Sequence, residues 1–174
     1  SQNTFSALGE EAFVPKSDTR NVALFALEEW AMHPAINLSF GARIEHSSVK
    51  PTAGGNERFD NLPSRDFTPG SVSAGAVFAL APAWSVALNT SYTERAPTFY
   101  ELYANGPHLA TGVWEIGSPQ AAIEKAFSTD LSLRYEQGPN KASVGLFYSR
   151  FNNFIALNNT GRDRKSTRLN SSHT

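Results

Sequence analysis

Four side chains of this 174-residue chain could bind a charged ligand. His108 lies in a long polar connection, Glu101 and Glu115 lie close to it in sequence, and Arg95 stands where that connection begins. Imidazole nitrogen and carboxylate oxygen are both accepted ligands of zinc. We therefore take His108, Glu101 and Glu115 as candidate ligands of a metal ion, and Arg95 with them as a candidate ligand-binding residue.

The histidines give only part of a metal site. No close His-x-x-x-His pair accompanies His108, so a loop histidine without a ligand is the alternative interpretation. His46, at the end of an expected strand, is a second candidate metal ligand. His33 falls in a short turn at the opposite end of the strands and is set aside.

Arg95 and Glu101 also have a structural interpretation. The two side chains can form a charge-assisted pair at the rim of a sheet. Pro97 cannot donate to a strand ladder, so it is expected to end the strand that precedes the pair.

The elements that position these residues are strands joined by connections of two alternating lengths. Short turns are expected at residues 33–35, 81–83 and 137–140, and long polar connections at 47–69 and 95–122. Short turns on one side and long loops on the other are typical of an outer-membrane β-barrel. The expected strands are residues 20–32, 36–46, 70–80, 84–94, 123–136 and 141–156.

Most of these strands alternate apolar and polar residues, which gives a sheet with one polar face. Ile36, Leu38 and Phe40 oppose Asn37 and Ser39, for example. A length of about 10 residues is what a tilted strand needs to cross a bilayer. The sequence therefore predicts an all-β fold, an antiparallel up-and-down sheet of about six strands that forms a partial transmembrane β-barrel.

Aromatic residues lie beside the short turns. Trp30 precedes the first turn, Trp84 follows the second, and Tyr135 precedes the third. Such a grouping predicts an aromatic girdle at one membrane interface. The alternatives are ordinary core aromatics and a soluble β-sandwich whose outer face is polar.

Strand 20–32 departs from the alternation. Leu24, Phe25 and Leu27 place apolar groups on both of its faces, so the lumen would have to be filled, for example by a plug. Glu28 and Glu29 place charge on both faces, so one of them must face lipid or headgroups. Further charges expected inside the barrel, with hydrogen bonds across neighbouring strands, are Arg43, Glu45, Asp130 and Arg134.

Six strands cannot close a membrane barrel, whose smallest form has 8 strands. Open strand edges in lipid are not viable, so we expect the chain to be part of a larger barrel. Residues 1–162 are assigned to this barrel. Residues 163–174 are basic and serine-rich, resemble a translated sequencing adapter, and are expected to be a non-native tail in which Arg164, Lys165, Arg168 and His173 have no function.

The composition and motifs of the chain argue against two classes of function, nucleic-acid binding and catalysis. A formal net charge of −1 gives no indication of a nucleic-acid partner. The chain has no cysteine, and no Gly-x-Ser-x-Gly or metal-hydrolase spacing occurs. We therefore expect no enzymatic activity and no cofactor.

Several segments, in order, resemble the TonB-dependent outer-membrane receptors. Residues 91–112 resemble the Arg-x-Pro and Glu-Leu-Tyr core that follows a barrel strand in that family. Residues 114–117, 122–125 and 151–155 resemble the segments that come next, as do 10–15 and 24–30 near the start. Residues 104–108 resemble most the branch that includes zinc-uptake receptors.

The resemblance implies a larger barrel of 22 strands with an N-terminal plug, embedded in the lipid of a Gram-negative outer membrane. It implies import of a scarce nutrient, such as a metal ion or a siderophore, with energy supplied through TonB. The plug and the TonB-binding segment are not expected within this sequence. The alternatives are a passive outer-membrane barrel, such as a porin or adhesin, and a soluble β-sandwich binding module.

Overall fold

A computed structural model describes residues 1–5, 12–52, 56–108, 112–159 and 168–173. It contains a 3₁₀ helix at Glu57–Phe59 and a short helix α1 at Phe99–Tyr103. The strands are β1 (Gln2–Phe5), β2 (Lys16–His33), β3 (Ile36–Thr52), β4 (Arg65–Phe67), β5 (Gly70–Ala81), β6 (Trp84–Arg95), β7 (Asn105–His108), β8 (Val113–Ile116), β9 (Glu124–Gln137), β10 (Asn140–Asn152), β11 (Ile155–Asn159) and β12 (Arg168–His173).

The main sheet is antiparallel and runs in the order β1-β2-β3-β5-β6-β9-β10, with β4 paired to β3. Apart from β4, the strands of this sheet occur in the order in which they follow one another along the chain. The described sheet does not close on itself, so it forms a partial barrel. A second sheet, in the order β11-β12-β8-β7, lies in the connections.

Three two-residue turns join the long hairpins, as the short-turn prediction required. They are Pro34-Ala35, Pro82-Ala83 and Gly138-Pro139. Gly138 has a φ of 58°, a left-handed conformation that glycine adopts without steric cost. The opposite ends of the same strands carry all the long connections.

The register aligns the apolar positions across the sheet. Ala42 pairs with Val72, Val72 with Tyr92, and Tyr92 with Phe127. We call this the outward face, and its large side chains are exposed, with Leu24 at 75 %. The opposite face is called inward. It carries a row of small polar residues that ends with a 2.9 Å contact between the Oγ atoms of Ser128 and Ser149.

The register also resolves the irregular part of β2. Phe25 pairs with Arg43 and Leu27 with Gly41, which places both apolar side chains on the inward face. Glu28 pairs with Phe40 on the outward face. Phe25 and Leu27 are 72 % and 68 % exposed, so the inward face keeps an uncovered apolar patch.

Two details of the sheet prediction were wrong. The last long strand ends at Asn152 instead of residue 156, because Asn153 has a φ of 54°. Asparagine tolerates that conformation better than most residues. The guanidinium of Arg43 binds Glu45 on its own strand, so this pair does not join neighbouring strands.

Strands β2 and β3 extend beyond the expected bounds at the long-loop end. There the inward side chain of Val49 is 1 % exposed, and it packs with Phe67 and with residues of the long connections. The long connections therefore fold over the inward face of the sheet. The buried cluster consists of Val49, Phe67, Leu102, Tyr103, Ala121 and Ile155.

The aromatic positions near the short turns form one direct contact. The rings of Trp84 and Tyr135 lie 4.9 Å apart on the outward face, in directly paired positions. Trp30 pairs with Leu38 on the same face of β2 and β3. Within the described residues, the two short helices are far from the length and apolar character that a membrane-spanning helix needs.

Candidate functional site

The long connections form a packed layer, here called the loop layer, made of residues 12–15, 56–67, 96–108 and 112–123. Arg58 joins three parts of it. Its Nη1 donates to the Asn105 carbonyl at 3.0 Å and its Nη2 to the Ala12 carbonyl at 3.1 Å. Its guanidinium also lies 5.2 Å from the centre of the Trp114 ring, within the range of a cation–π contact.

A second set of bonds ties the middle loop to α1 and to the segment that precedes β9. Arg65 donates to the carbonyl oxygens of Pro119 and Ala121. The hydroxyl of Tyr103 donates to the Pro63 carbonyl at 2.7 Å. Burial raises the pKa of this phenol, so the hydroxyl remains a donor at neutral pH.

Two glycines allow backbones to approach within this layer. A Cβ at Gly117 would lie 2.7 Å from the Glu101 carbonyl oxygen and 2.8 Å from the Leu102 carbonyl carbon. A Cβ at Gly106 would lie 2.6 Å from the Cα of Phe13. Because the obstructing atoms are backbone, any larger residue would displace a loop.

His108 and Glu115, both predicted as ligand-binding residues, do come together. They lie on β7 and β8 of one hairpin, and His108 Nδ1 is 2.7 Å from Glu115 Oε1. The imidazole stacks on the Phe13 ring at a centroid distance of 4.9 Å. Glu115 is only 6 % exposed, so its carboxylate is held inside the loop layer by this contact.

Arg95 and Glu101 form the predicted charge-assisted pair. Arg95 Nη1 and Nη2 donate to the two oxygens of Glu101 at 2.9 and 3.1 Å. Arg95 also donates to Glu124 at the start of β9, at 3.3 Å. The Glu124 carboxylate in turn accepts the Ile155 backbone N–H, so one arginine links β6, α1, β9 and β11.

Glu101 also caps α1. Its Oε2 accepts the backbone N–H of Thr98 at 2.7 Å and the Thr98 hydroxyl at 2.9 Å. Burial alone would raise the pKa of this carboxyl, but the hydrogen bonds from Arg95 and Thr98 outweigh burial and lower it below the ordinary value of 4.5. Glu101 is therefore ionised at neutral pH, and both its oxygens are occupied.

The structure thus separates the candidates into two clusters. Glu101 stays with Arg95, and does not join the His108–Glu115 pair. Among the parts of the chain that the structure describes, no three histidine or acidic side chains form a group that could hold a metal. His46, the second candidate, lies 4.0 Å from Asp66 with both side chains well exposed.

A polar cavity of about 300 Å³ lies on the inward face beneath α1. Arg43 and Glu45 of β3 line one side, and Arg95, Thr98 and Tyr100 line another. Asn21 of β2 also lines it, and its Oδ1 atom is buried without a hydrogen-bond partner among the described residues. The cavity therefore offers a guanidinium and an unsatisfied amide oxygen to a polar ligand.

Sequence reasoning missed Arg58, Arg65 and Asn21. The two arginines bind carbonyls 46 to 56 residues away in the chain, and nothing in their local sequence indicates those partners. Asn21 could have been found from its position, because the alternation on β2 places it on the inward face, where it pairs with Ser47 of β3.

The model of the TonB-dependent receptor β-barrel family matches residues 1–172. The chain belongs to this family. It is accordingly part of a β-barrel of the Gram-negative outer membrane.

Relatives agree with the family match. The chain is 27 % identical, over 132 residues, to the iron-regulated outer membrane virulence protein of two Vibrio cholerae serotype O1 strains. That match covers 75 % of this chain and 18 % of the relative, so the chain spans about a fifth of the length of the curated relatives it matches.

Solved structures share the fold. The copper transporter OprC superposes with a TM-score of 0.73 at 19 % identity, over 91 % of this chain and 25 % of OprC. The Serratia marcescens hemophore receptor HasR, solved as a double mutant with its hemophore HasA and heme, superposes with a TM-score of 0.71 at 15 % identity, over 88 % of this chain and 28 % of HasR. These two likenesses confirm the partial-barrel prediction.

Proposed function

We propose that this chain is part of an outer-membrane receptor that imports a scarce nutrient, a metal ion or a metal chelate, with energy from the TonB system. The observation that carries the proposal is the family match over residues 1–172. The names of the relatives, an iron-regulated protein, a copper transporter and a hemophore receptor, support the ligand class. The proposal gives the chain no catalytic role.

The orientation follows from the two lengths of connection. Outer-membrane barrels have short periplasmic turns and longer extracellular loops. We therefore assign the two-residue turns to the periplasm and the loop layer to the cell exterior. A peptide tag inserted after Gly138, and one inserted in residues 109–111, test this assignment by antibody labelling of intact cells, which should detect only the second.

Within the proposed receptor, we assign the polar cavity beneath α1 as a site that contacts the transported ligand. It opens on the inward face, where a ligand entering from outside would pass, and Arg43 and Asn21 offer polar groups there. We also propose His108 and Glu115 as ligand contacts of the loop layer. Arg95 and Glu101 are assigned to positioning, because Arg95 occupies both Glu101 oxygens and also binds Glu124.

A plug domain is the proposed cover for the uncovered apolar patch. Phe25 and Leu27 point from β2 into the lumen and are largely exposed here. Apolar groups at such positions are stabilised when another surface excludes water from them. A plug supplied by another part of the receptor would do this and would also couple the barrel to TonB.

Uptake by cells carrying the full-length receptor gene tests the proposal. A deletion strain should lose accumulation of one metal under limitation, measured by elemental analysis, and plasmid-borne receptor should restore it. Loss of TonB should abolish the restored uptake. Uptake that persists without TonB would instead identify a passive barrel.

A variant of the cavity separates binding from assembly. Arg43→Ala should weaken ligand binding to cells while surface display stays at the wild-type level. Arg134→Ala, which removes an exposed arginine near the short-turn end of the same face, is the matched control and should leave binding unchanged.

A further inference from the structure

The charged side chains that line the cavity beneath α1 are already paired within the chain. The guanidinium of Arg43 binds the carboxylate of Glu45 on the same strand. The guanidinium of Arg95 binds the carboxylates of Glu101 and Glu124. Neither arginine therefore presents an unpaired positive charge to a ligand.

Glu94, which also lines the cavity, is paired as well. Its carboxylate accepts the Gly70 backbone N–H at 2.9 Å and the Tyr92 hydroxyl at 3.0 Å, and it lies 3.4 Å from the Lys125 ammonium. The described wall thus contains two arginines and two glutamates, whose formal charges cancel. The cavity therefore has no net charge with which to attract an anion or a cation.

One polar atom of the wall lacks a partner. The Oδ1 atom of Asn21 is buried and accepts no hydrogen bond from the described residues. Ser47 pairs with Asn21 across β2 and β3, and its hydroxyl and that of Thr19 are also unused by the described residues. A buried acceptor without a donor is costly, so a ligand N–H or O–H group that reaches Asn21 would bind favourably.

The roof of the cavity is aromatic. Phe99 and Tyr100 of α1 line it, and the Phe5 ring stacks on Phe99 at a centroid distance of 5.0 Å. A charged ligand that enters beneath these rings would lose water and meet no unpaired opposite charge, which is unfavourable. An uncharged ligand avoids that loss, and its apolar atoms can pack against Tyr100.

We propose that the cavity beneath α1 selects an electroneutral metal chelate whose surface carries N–H or O–H donors. One donor binds Asn21 Oδ1, and the apolar part of the chelate packs under α1. A ferric trihydroxamate with amide groups has this character, because three singly charged hydroxamates balance the charge of the ferric ion. A ferric tris-catecholate has the opposite character, because it carries three negative charges. The selectivity rests on the proposed transport function, since it specifies the class of chelate that the receptor binds.

Binding to purified full-length receptor in detergent, measured by isothermal titration calorimetry, tests the selectivity. The wild type should bind an amide-bearing ferric trihydroxamate roughly tenfold more tightly than a ferric tris-catecholate, because no unpaired cation compensates the charge of the second chelate. The opposite preference, equal affinities or binding of neither chelate would overturn the proposal.

Asn21→Leu removes the unsatisfied acceptor and keeps a side chain of similar size. It should lower the affinity for the trihydroxamate roughly tenfold, because a ligand donor loses its partner. Asn37→Leu is the matched control, since Asn37 lies on the inward face of β3 near the short turn and outside the cavity, and it should bind as the wild type does. Unchanged affinity in Asn21→Leu would also overturn the proposal.

Glu45→Gln tests the charge balance directly. It leaves Arg43 without its carboxylate, so the wall gains an unpaired cation, and the affinity for the tris-catecholate should rise at least to that for the trihydroxamate. Equal weakening of both chelates would indicate a merely structural role for Glu45 and would count against the proposal. A receptor that binds the trihydroxamate but never restores metal uptake to a deletion strain would count against the transport function alone.

Discussion

The two ends of the sheet are stabilised by different kinds of contact. At the short-turn end each connection has two residues, and the side chains around it, such as Leu80 at 62 % exposure, contact neighbouring strands of the sheet and the surrounding solvent or lipid. At the long-loop end the connections bury Leu102 and Val49 and are held by arginines that reach distant carbonyls. One end is specified by local sequence, and the other depends on contacts between remote segments.

The largest expected difference between the two ends is in the unfolding free energy lost when one leucine at each end is replaced by alanine. Leu102→Ala removes a fully buried side chain and leaves a cavity, so it should cost about 3–4 kcal/mol of unfolding free energy. Leu80→Ala on the outward face leaves no cavity, since lipid or detergent fills the space, and should cost about 1 kcal/mol. Denaturant unfolding of the full-length receptor in micelles gives both values. Equal losses would contradict the distinction between the two ends.

Two glycine-to-alanine substitutions compare how closely the backbone is packed in the loop layer and in the sheet. Gly117→Ala forces a Cβ against the α1 backbone and should cost about 2 kcal/mol by overpacking. Gly145→Ala in β10 is the control, because its Cβ would meet only ordinary contacts at 3.8 Å. Proteolysis within the loop layer should accelerate for the first variant only. A protease-resistant Gly117→Ala would show that the layer shifts freely.

Arg95→Ala tests the ionic link. Its loss leaves Glu101 half-occupied and Glu124 without its arginine, and the 43 % exposure of the Arg95 side chain limits the cost to about 1–2 kcal/mol. We expect disturbed loop order and reduced assembly more than reduced affinity, measured by surface display and ligand binding on cells. Normal display with weakened binding would assign Arg95 to the ligand instead.

Acid should loosen the loop layer through the same cluster. Because the pKa of Glu101 is lowered in the fold, its stabilising contribution is complete above its ordinary value of 4.5 and is lost as the pH falls through the lower folded value. The protection factors of amides 98–104, which correct the exchange rates for the slower intrinsic exchange in acid, should therefore fall at acid pH. Glu101→Gln should be less stable at neutral pH and show a flatter pH profile. A parallel profile for the two proteins would exclude Glu101 as the group responsible.

The smallest effect belongs to the short turns. Pro82→Ala keeps the hairpin pairing and should cost about 0.5 kcal/mol, mainly by adding freedom to the unfolded chain. Ala83→Gly, at the next position of that turn, should cost a similar amount. Surface display should stay normal in both. A large loss of display would mean that this end carries tertiary contacts that the structure does not show.

The sequence predicted the strands, faces and turns because those depend on alternation and on local turn residues. It also predicted the Arg95–Glu101 pair, whose members are six residues apart. It could not predict the extension of β3 to Thr52, because the consecutive serines at 47 and 48 break the visible pattern while burial of Val49 decides the outcome. The end of β10 was missed because Asn153 adopts a left-handed conformation beside the Glu124–Ile155 bond.

The candidate site was predicted only in part, for the same reason. His108 and Glu115 are in contact because they lie on the two strands of one hairpin. Glu101 instead binds Arg95, which donates to both of its carboxylate oxygens. Arg58 was invisible because its carbonyl partners are 46 and 47 residues away. Local pattern identifies residues that share a strand or hairpin, and tertiary packing decides the rest.

The long-range hydrogen bonds of Arg58 also determine the order in which the hairpins and the loop layer form. Two-residue hairpins close with little loss of chain entropy, whereas joining residues 12, 58 and 105 requires that the β2–β3 and β5–β6 hairpins already stand side by side. The loop layer is therefore the last part of this region to form during assembly. Until then, the carbonyls of Ala12 and Asn105 remain available to water, and the lumen is open from above.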